Sequence, residues 1–189
     1  MKFSFGIFPT LLAALSTLAA EPAAVAMKDI LTSPERPIAM RYHEEKRLQI
    51  LSQALTSSGL LRFIPPDTLV REEDGWRDII YRIEGDQISI SEDKKVLRQL
   101  DLKLSPEIAG IATTLRALLA ADTTTLEKHY TLALTGSSSD WTLQLTPRIE
   151  PISRFVEKIL IDGGNGQIRR IDTYEQSGDK SRLTLVPDG

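Results

Sequence analysis

Apolar residues recur at every second position through most of the chain. The runs are Ile38-Met40-Tyr42, Leu61-Phe63, Ile79-Tyr81-Ile83, Ile88-Ile90, Tyr130-Leu132-Leu134, Trp141-Leu143-Leu145, Phe155 with Ile159-Ile161, and Leu183-Leu185. Successive side chains of a strand point to opposite faces, so each run predicts a strand with one apolar and one mostly polar face. Short turn signals separate the runs: Glu84-Gly85-Asp86, Gly136 to Ser139, Asp162-Gly163-Gly164-Asn165-Gly166, and Ser177-Gly178-Asp179. Their length suits antiparallel hairpins. Pro65-Pro66 falls between two runs, as prolines do at a sheet edge or corner. The fold class that follows is mainly β, an α+β meander.

One segment changes period. Ile108, Ile111, Ala112, Leu115, Leu118 and Leu119 recur at three- and four-residue spacing, the stripe of an amphipathic helix. Ser105 stands at the capping position, Pro106 suits the first helical position, and Glu107 adds negative charge to the first turn. Asp122 offers a second cap for a short continuation through Leu126 and Lys128, with strand periodicity returning at Tyr130. Met27 to Thr32 are expected to form a further short helix. A lone long helix among strands buries its stripe on the apolar face of the sheet, as a core plug or a lid.

The first residues read as an export leader: Lys2, an apolar stretch from Phe5 to Ala20, and Ala24-Val25-Ala26 as a small-x-small cleavage site. The apolar stretch is shorter than the roughly 20 residues of a spanning helix. Residues 1–26 are therefore expected to be removed as a signal peptide after Ala26, leaving 27–189 as one domain. The chain has no cysteine, so no lipid attaches near the cleavage site and no disulfide is needed; a bacterial periplasm is the simplest compartment. The net charge of −3, with both signs mixed along the chain, argues against a nucleic-acid footprint.

The parts of familiar catalysis are missing. There is no nucleophile elbow, and the only histidines, His43 and His129, fall in the phase opposite to Tyr42 and Tyr130, so both are expected to face solvent. No metal-ligand spacing occurs, and no cofactor is expected. Glu44-Glu45, Glu72-Glu73-Asp74 and Glu92-Asp93 are adjacent acids whose members point to opposite faces of a strand, and a solvated surface is the expected setting. Asp162 to Gly166 lacks a following Lys-Ser/Thr and a helix, so it is a hairpin turn rather than a phosphate loop.

The order of elements resembles the outer-membrane lipoprotein carrier family, LolA, over about residues 38–186. The resemblance rests on Tyr42-x-Glu44, on Ser58-Gly59-x-Leu61-x-Phe63 running into Pro66, on Glu84-Gly85-Asp86 and on the mid-chain helix. Its C-terminal part is Trp141 to Arg148, Ile159-Leu160-Ile161, Ile168-Arg169-Arg170-Ile171, and Ser181 to Leu185. The resemblance implies a half-open antiparallel β-barrel whose concave apolar face is covered by an amphipathic helix and holds acyl chains. It also implies a monomer without enzymatic activity, an acylated lipoprotein or lipid as cargo, an inner-membrane exporter that loads it and an outer-membrane acceptor. Two positions depart from the family: Pro65 stands where an inward Arg helps to latch the lid, and Arg71 stands where a Trp is common. The latch role is therefore not carried over. The segment from Glu107 to Thr131 is similar to LolA-like proteins that accompany aryl polyene-type or other specialised lipids.

On this reading Leu61, Phe63, Ile79, Tyr81, Ile83, Leu115, Leu118 and Leu119 face the cargo. The alternative is a periplasmic sensor domain that uses the same half-barrel to detect lipid and bind a protein partner. A hydrolase would need a titratable cluster at the mouth of the cavity.

Overall fold

The computed structural model describes residues 26–32 and 34–188. The leader predicted over 1–26 lies, but for Ala26, outside the described residues. A single helical turn, α1 (Met27–Ile30), precedes six strands: β1 (Ile38–Arg47), β2 (Leu55–Ile64), β3 (Thr68–Glu73), β4 (Ile79–Glu84), β5 (Gln87–Glu92) and β6 (Lys95–Asp101). A 3₁₀ turn (Leu102–Leu104) leads into α2 (Pro106–Leu119) and α3 (Thr123–His129). The second half comprises β7 (Tyr130–Ser137), β8 (Asp140–Pro147), the one-turn α4 (Ile152–Phe155), β9 (Val156–Gly164), β10 (Gln167–Glu175) and β11 (Lys180–Pro187).

Among the described residues, eleven strands form one antiparallel sheet in the order β6-β5-β4-β3-β2-β1-β11-β10-β9-β8-β7. It is an open, curved sheet with β6 and β7 as its edges. The predicted turns fall where expected. Asn165 and Gly166 both have positive φ, 55° and 75°, and close the β9–β10 hairpin as a two-residue turn.

The outward face carries ion pairs between neighbouring strands, Arg62 with Glu72, Arg170 with Asp162, and Arg182 with Asp172 at 2.8 Å. The inward face carries the core, in which Trp141, Phe63, Leu143, Leu145 and Ile161 are fully buried.

Three strands were not among the predicted runs. In β3 the inward places after Leu69 are held by Arg71 and Glu73. β6 is an edge with both faces largely exposed, so alternation is not imposed on it. In β10 a register shift between Ile168 and Arg170 breaks the alternation. Phe155 belongs to α4 rather than to a strand, and the inward residue that opens β9 is Val156. A second register shift, opposite Tyr174 and Glu175, brings Val156 and Ile159 to the same face.

Ser105 occupies the N-cap of α2 without a side-chain capping bond, whereas Asp122 caps α3 by accepting from Thr125 N at 3.0 Å and Thr125 Oγ1 at 2.6 Å. His43 is exposed as expected. His129 is not: it ends α3 half-buried, with Nδ1 enclosed and unpartnered among the described residues. The helix runs one residue further than period two suggests, so the outward phase begins only after Tyr130.

The helix α2 lies across the concave face, but its apolar stripe divides. Ala112, Ala117, Leu118 and Leu119 are buried, and the hydroxyl of Thr114 lies 2.7 Å from the carbonyl of Gly110 and 2.5 Å from the Tyr130 hydroxyl. Ile108 and Ile111, at the N-terminal end, remain 37% and 57% exposed. Arg116 donates to the carbonyl of Gly85 at 2.7 Å, and Lys103 pairs with Asp86 at 2.9 Å. Both contacts tie the helical segment to the β4–β5 turn.

Candidate functional site: an apolar trough with a polar floor

The register of the sheet sets the chemistry of the concave face row by row. One row runs Ile38, Phe63, Leu69, Ile83, Ile88, Leu100 and is wholly apolar. The next runs Met40, Leu61, Arg71, Tyr81, Ile90. A third runs Tyr42, Gly59, Glu73, Ile79. Beyond it, Glu44 pairs across the strands with Ser57 and Leu183. Polarity therefore rises along the trough from one end of the sheet towards the other. Gly59 is required here, because a Cβ would collide with the backbone carbonyl of Glu72 and stand 3.0 Å from the Tyr42 ring.

Between sheet and helix lies a cavity of 370 Å³, within the range of small-molecule sites. Leu61, Leu69, Tyr81, Ile83 and Ile88 line its floor, and Ile108, Ile111, Ala112 and Leu115 its roof. A second cavity of 210 Å³ adjoins it and shares Arg71, Ile111, Leu115 and Leu183. The lining of the pair is mostly hydrocarbon, with Arg71 at the junction.

Arg71 is held from several sides. Its Nη2 lies 2.8 Å from a Glu44 carboxylate oxygen and 3.5 Å from one of Glu73, and it donates to Ser57 Oγ at 2.8 Å. Nε donates to the Tyr42 hydroxyl at 3.1 Å, and the guanidinium carbon stands 4.4 Å from the centroid of the Tyr42 ring. The side chains of Arg71, Glu44 and Glu73 are only 29%, 24% and 28% exposed. Burial alone would lower the guanidinium pKa, but the Glu44 carboxylate beside it leaves it raised. Burial also raises the Tyr42 and Tyr81 hydroxyls above the ordinary phenol value, with a further contribution from Glu73.

Four of the eight residues predicted to face a cargo, Leu61, Tyr81, Ile83 and Leu115, line the larger cavity, and Leu118 lines the smaller. Phe63 lies between Ile38 and Leu69 in the apolar row and is only 1% exposed, so it is core. Leu119 turns to a separate 370 Å³ cavity beside Leu31 and Ile168. Ile79 lies at the far end of β4, in a groove with Asp74 and Gly75. The solvated reading of the acidic doublets holds for Glu45 and Glu72 but not for Glu44 and Glu73. Glu44-Glu45 and Glu72-Glu73 each send one member outward and the other inward, and the inward members pair with Arg71, whereas Glu92 pairs with Arg77. A period-two reading continued through β3 as Leu69-x-Arg71-x-Glu73 contains that signal.

Residues 19–188 match the family described as outer membrane lipoprotein carrier protein LolA-like. The chain belongs to that family. The solved structures that this LolA-like chain is similar to include a LolA superfamily protein from Nitrosomonas europaea, with a TM-score of 0.48 and 11% identity over 84% of this chain and 88% of that one. A putative outer membrane lipoprotein-sorting protein domain from Vibrio parahaemolyticus gives 0.39 and 10%, over 81% and 86%. MucB, solved in complex with MucA(peri), gives 0.37 and 15%, over 80% of this chain and 51% of that one. No curated protein matches the chain. Among the described residues, no group of three or more His, Asp or Glu is placed to hold a metal, and no helix is long and apolar enough to cross a membrane.

Proposed function

We propose that this LolA-like chain is a periplasmic carrier that holds the acyl chains of a lipoprotein or another lipid and moves it from the inner to the outer membrane. An inner-membrane exporter would load it and an outer-membrane acceptor would unload it. The observation that carries the reading is the hydrocarbon-lined trough of 370 Å³, roofed by a helix whose N-terminal apolar residues stay partly exposed.

Removing an acyl chain from water gains about 0.8 kcal/mol per CH₂, so a chain of membrane length gains on the order of 10 kcal/mol. Crossing the aqueous periplasm unaided is therefore prohibitive, and a carrier must offer comparable apolar surface. A carrier must also release its cargo. Leu115 and Ile111 touch both cavities, so withdrawal of α2 would remove the roof and the apolar contacts in one motion.

The test is extraction of the protein purified from the periplasm, with lipid mass spectrometry, together with uptake of the uncharged fluorophore 1-N-phenylnaphthylamine. Co-purified acyl lipid and saturable uptake are expected. A protein free of lipid that takes up no fluorophore overturns the reading.

A further inference from the structure

An arginine inside a hydrocarbon trough looks at first like an anchor for an anionic head group. The charges around it point elsewhere. Among the described residues, the charged side chains that line the two adjoining cavities are Arg71 and Lys46, which are positive, and Glu44, Glu73 and Glu175, which are negative. Lys46 is paired with Glu175 at 3.2 Å. Arg71 is left with two carboxylates, so its positive charge is more than compensated before any ligand enters. A further anion at this guanidinium would meet two like charges in a partly desolvated site, where repulsion is weakly screened.

The donors of Arg71 are not all used. Nε serves Tyr42, and Nη2 serves Ser57, Glu44 and Glu73. Nη1, with two N–H groups, has no hydrogen-bond partner among the described residues. The four groups that hold the rest of the guanidinium fix its orientation, and Arg71 lines both apolar cavities. A neutral carbonyl can accept from Nη1 without adding charge, while its hydrocarbon extends along Leu61, Ile83 and Leu115.

We propose that Arg71, flanked by Glu44 and Glu73, is a head-group selector that takes the carbonyl of an ester- or amide-linked acyl chain and discriminates against ionised carboxylates. The inference rests on the carrier reading and names the class of cargo for the same trough. Arg71 supplies the hydrogen bond. Glu44 and Glu73 both orient the guanidinium and remove its attraction for anions.

The experiment is displacement of bound 1-N-phenylnaphthylamine at pH 8 by 1-monopalmitoylglycerol and by palmitate, which share one tail and differ in charge. In the unaltered protein the glycerol ester is expected to displace the fluorophore at a concentration at least tenfold below that of palmitate. The readout in each variant is the ratio of the two displacing concentrations, which a general loss of packing does not change. Glu44→Gln combined with Glu73→Gln uncovers the Arg71 charge and should shift the ratio at least tenfold towards palmitate. If the double variant fails to fold by circular dichroism, Glu73→Gln alone leaves the Glu44 pair in place and should shift the ratio about threefold in the same direction. Equal displacement in the unaltered protein, or a ratio that the folded variants leave unchanged, overturns the selector while fluorophore uptake still supports the carrier. Absence of fluorophore uptake overturns both.

Discussion

Gly110→Ala tests how closely the roof of the trough is fitted to α4. Gly110 lies in the middle of α2, where replacing glycine by alanine ordinarily stabilises a helix by about 1 kcal/mol. Here a Cβ would stand 2.6 Å from Ile152 Cγ1 and 3.3 Å from its Cδ1. Carbon atoms pack at about 3.5–4.0 Å, so helix and α4 must separate by about 1 Å. Ile152 is itself buried and β-branched, which leaves it little freedom to swing aside. Overpacking of this kind costs about 1–3 kcal/mol, enough to outweigh the helix propensity. The expected net loss is up to about 2 kcal/mol, or as much as roughly 8 °C in Tm for a domain of this size.

Ile152→Ala alone should cost about 2–5 kcal/mol as a cavity, but it removes the obstacle. The double variant is expected to be less destabilised than the sum of the singles by about 1–2 kcal/mol. Urea unfolding of the four proteins measures the cycle, and stopped-flow uptake of 1-N-phenylnaphthylamine reports whether the displaced helix admits the probe faster. A rise in Tm for Gly110→Ala, or strict additivity in the cycle, would refute the close fit.

Two further predictions concern the helix and its surroundings. Arg116→Ala removes the bond to the Gly85 carbonyl and should cost about 0.5–1.5 kcal/mol while speeding exchange of the fluorophore; unchanged exchange would show that this tether does not hold the roof. Burial raises the hydroxyls of Tyr42, Tyr81 and Tyr130 above their ordinary value of 10.0, so below pH 10 both folded and unfolded chains keep these protons and the contribution is fully present. Above it the unfolded chain loses them first, and stability should fall as pH rises. Urea midpoints at pH 9 and 11 measure the fall, and Tyr130→Phe should make it shallower; an identical fall in that variant would remove Tyr130 from the account.

Most of the sheet was legible because one face is buried and the other wet, which imposes alternation on runs such as Trp141-Leu143-Leu145. Where that condition fails, the strand disappears from the pattern. β6 borders solvent on both faces, and β3 places Arg71 and Glu73 inward. The same two residues hid the polar floor of the site, since a charged residue reads as exposed unless the phase of its neighbours is followed through it. The apolar part of the site was half legible for a different reason. Periodicity tells which face a residue occupies but not how far along the trough it lies, so Phe63 and Ile79 share a face with Tyr81 without sharing its cavity.

The strand order has a consequence for how the chain reaches this shape. Nine of the ten pairings join strands consecutive in sequence, and only β1 with β11 is distant, along a seam from Met40↔Pro187 to Arg47↔Lys180. Two local meanders can each zip by neighbouring hairpins, and the search for the seam carries the loop-closure cost. Because Met40 and Pro187 lie side by side, linking that end of β1 to β11 and opening the chain before α2 would give a permuted protein in which every strand pairs with its neighbour in sequence. Such a permutant should refold faster than the natural order while keeping the same trough, and its rate would measure what the seam alone costs.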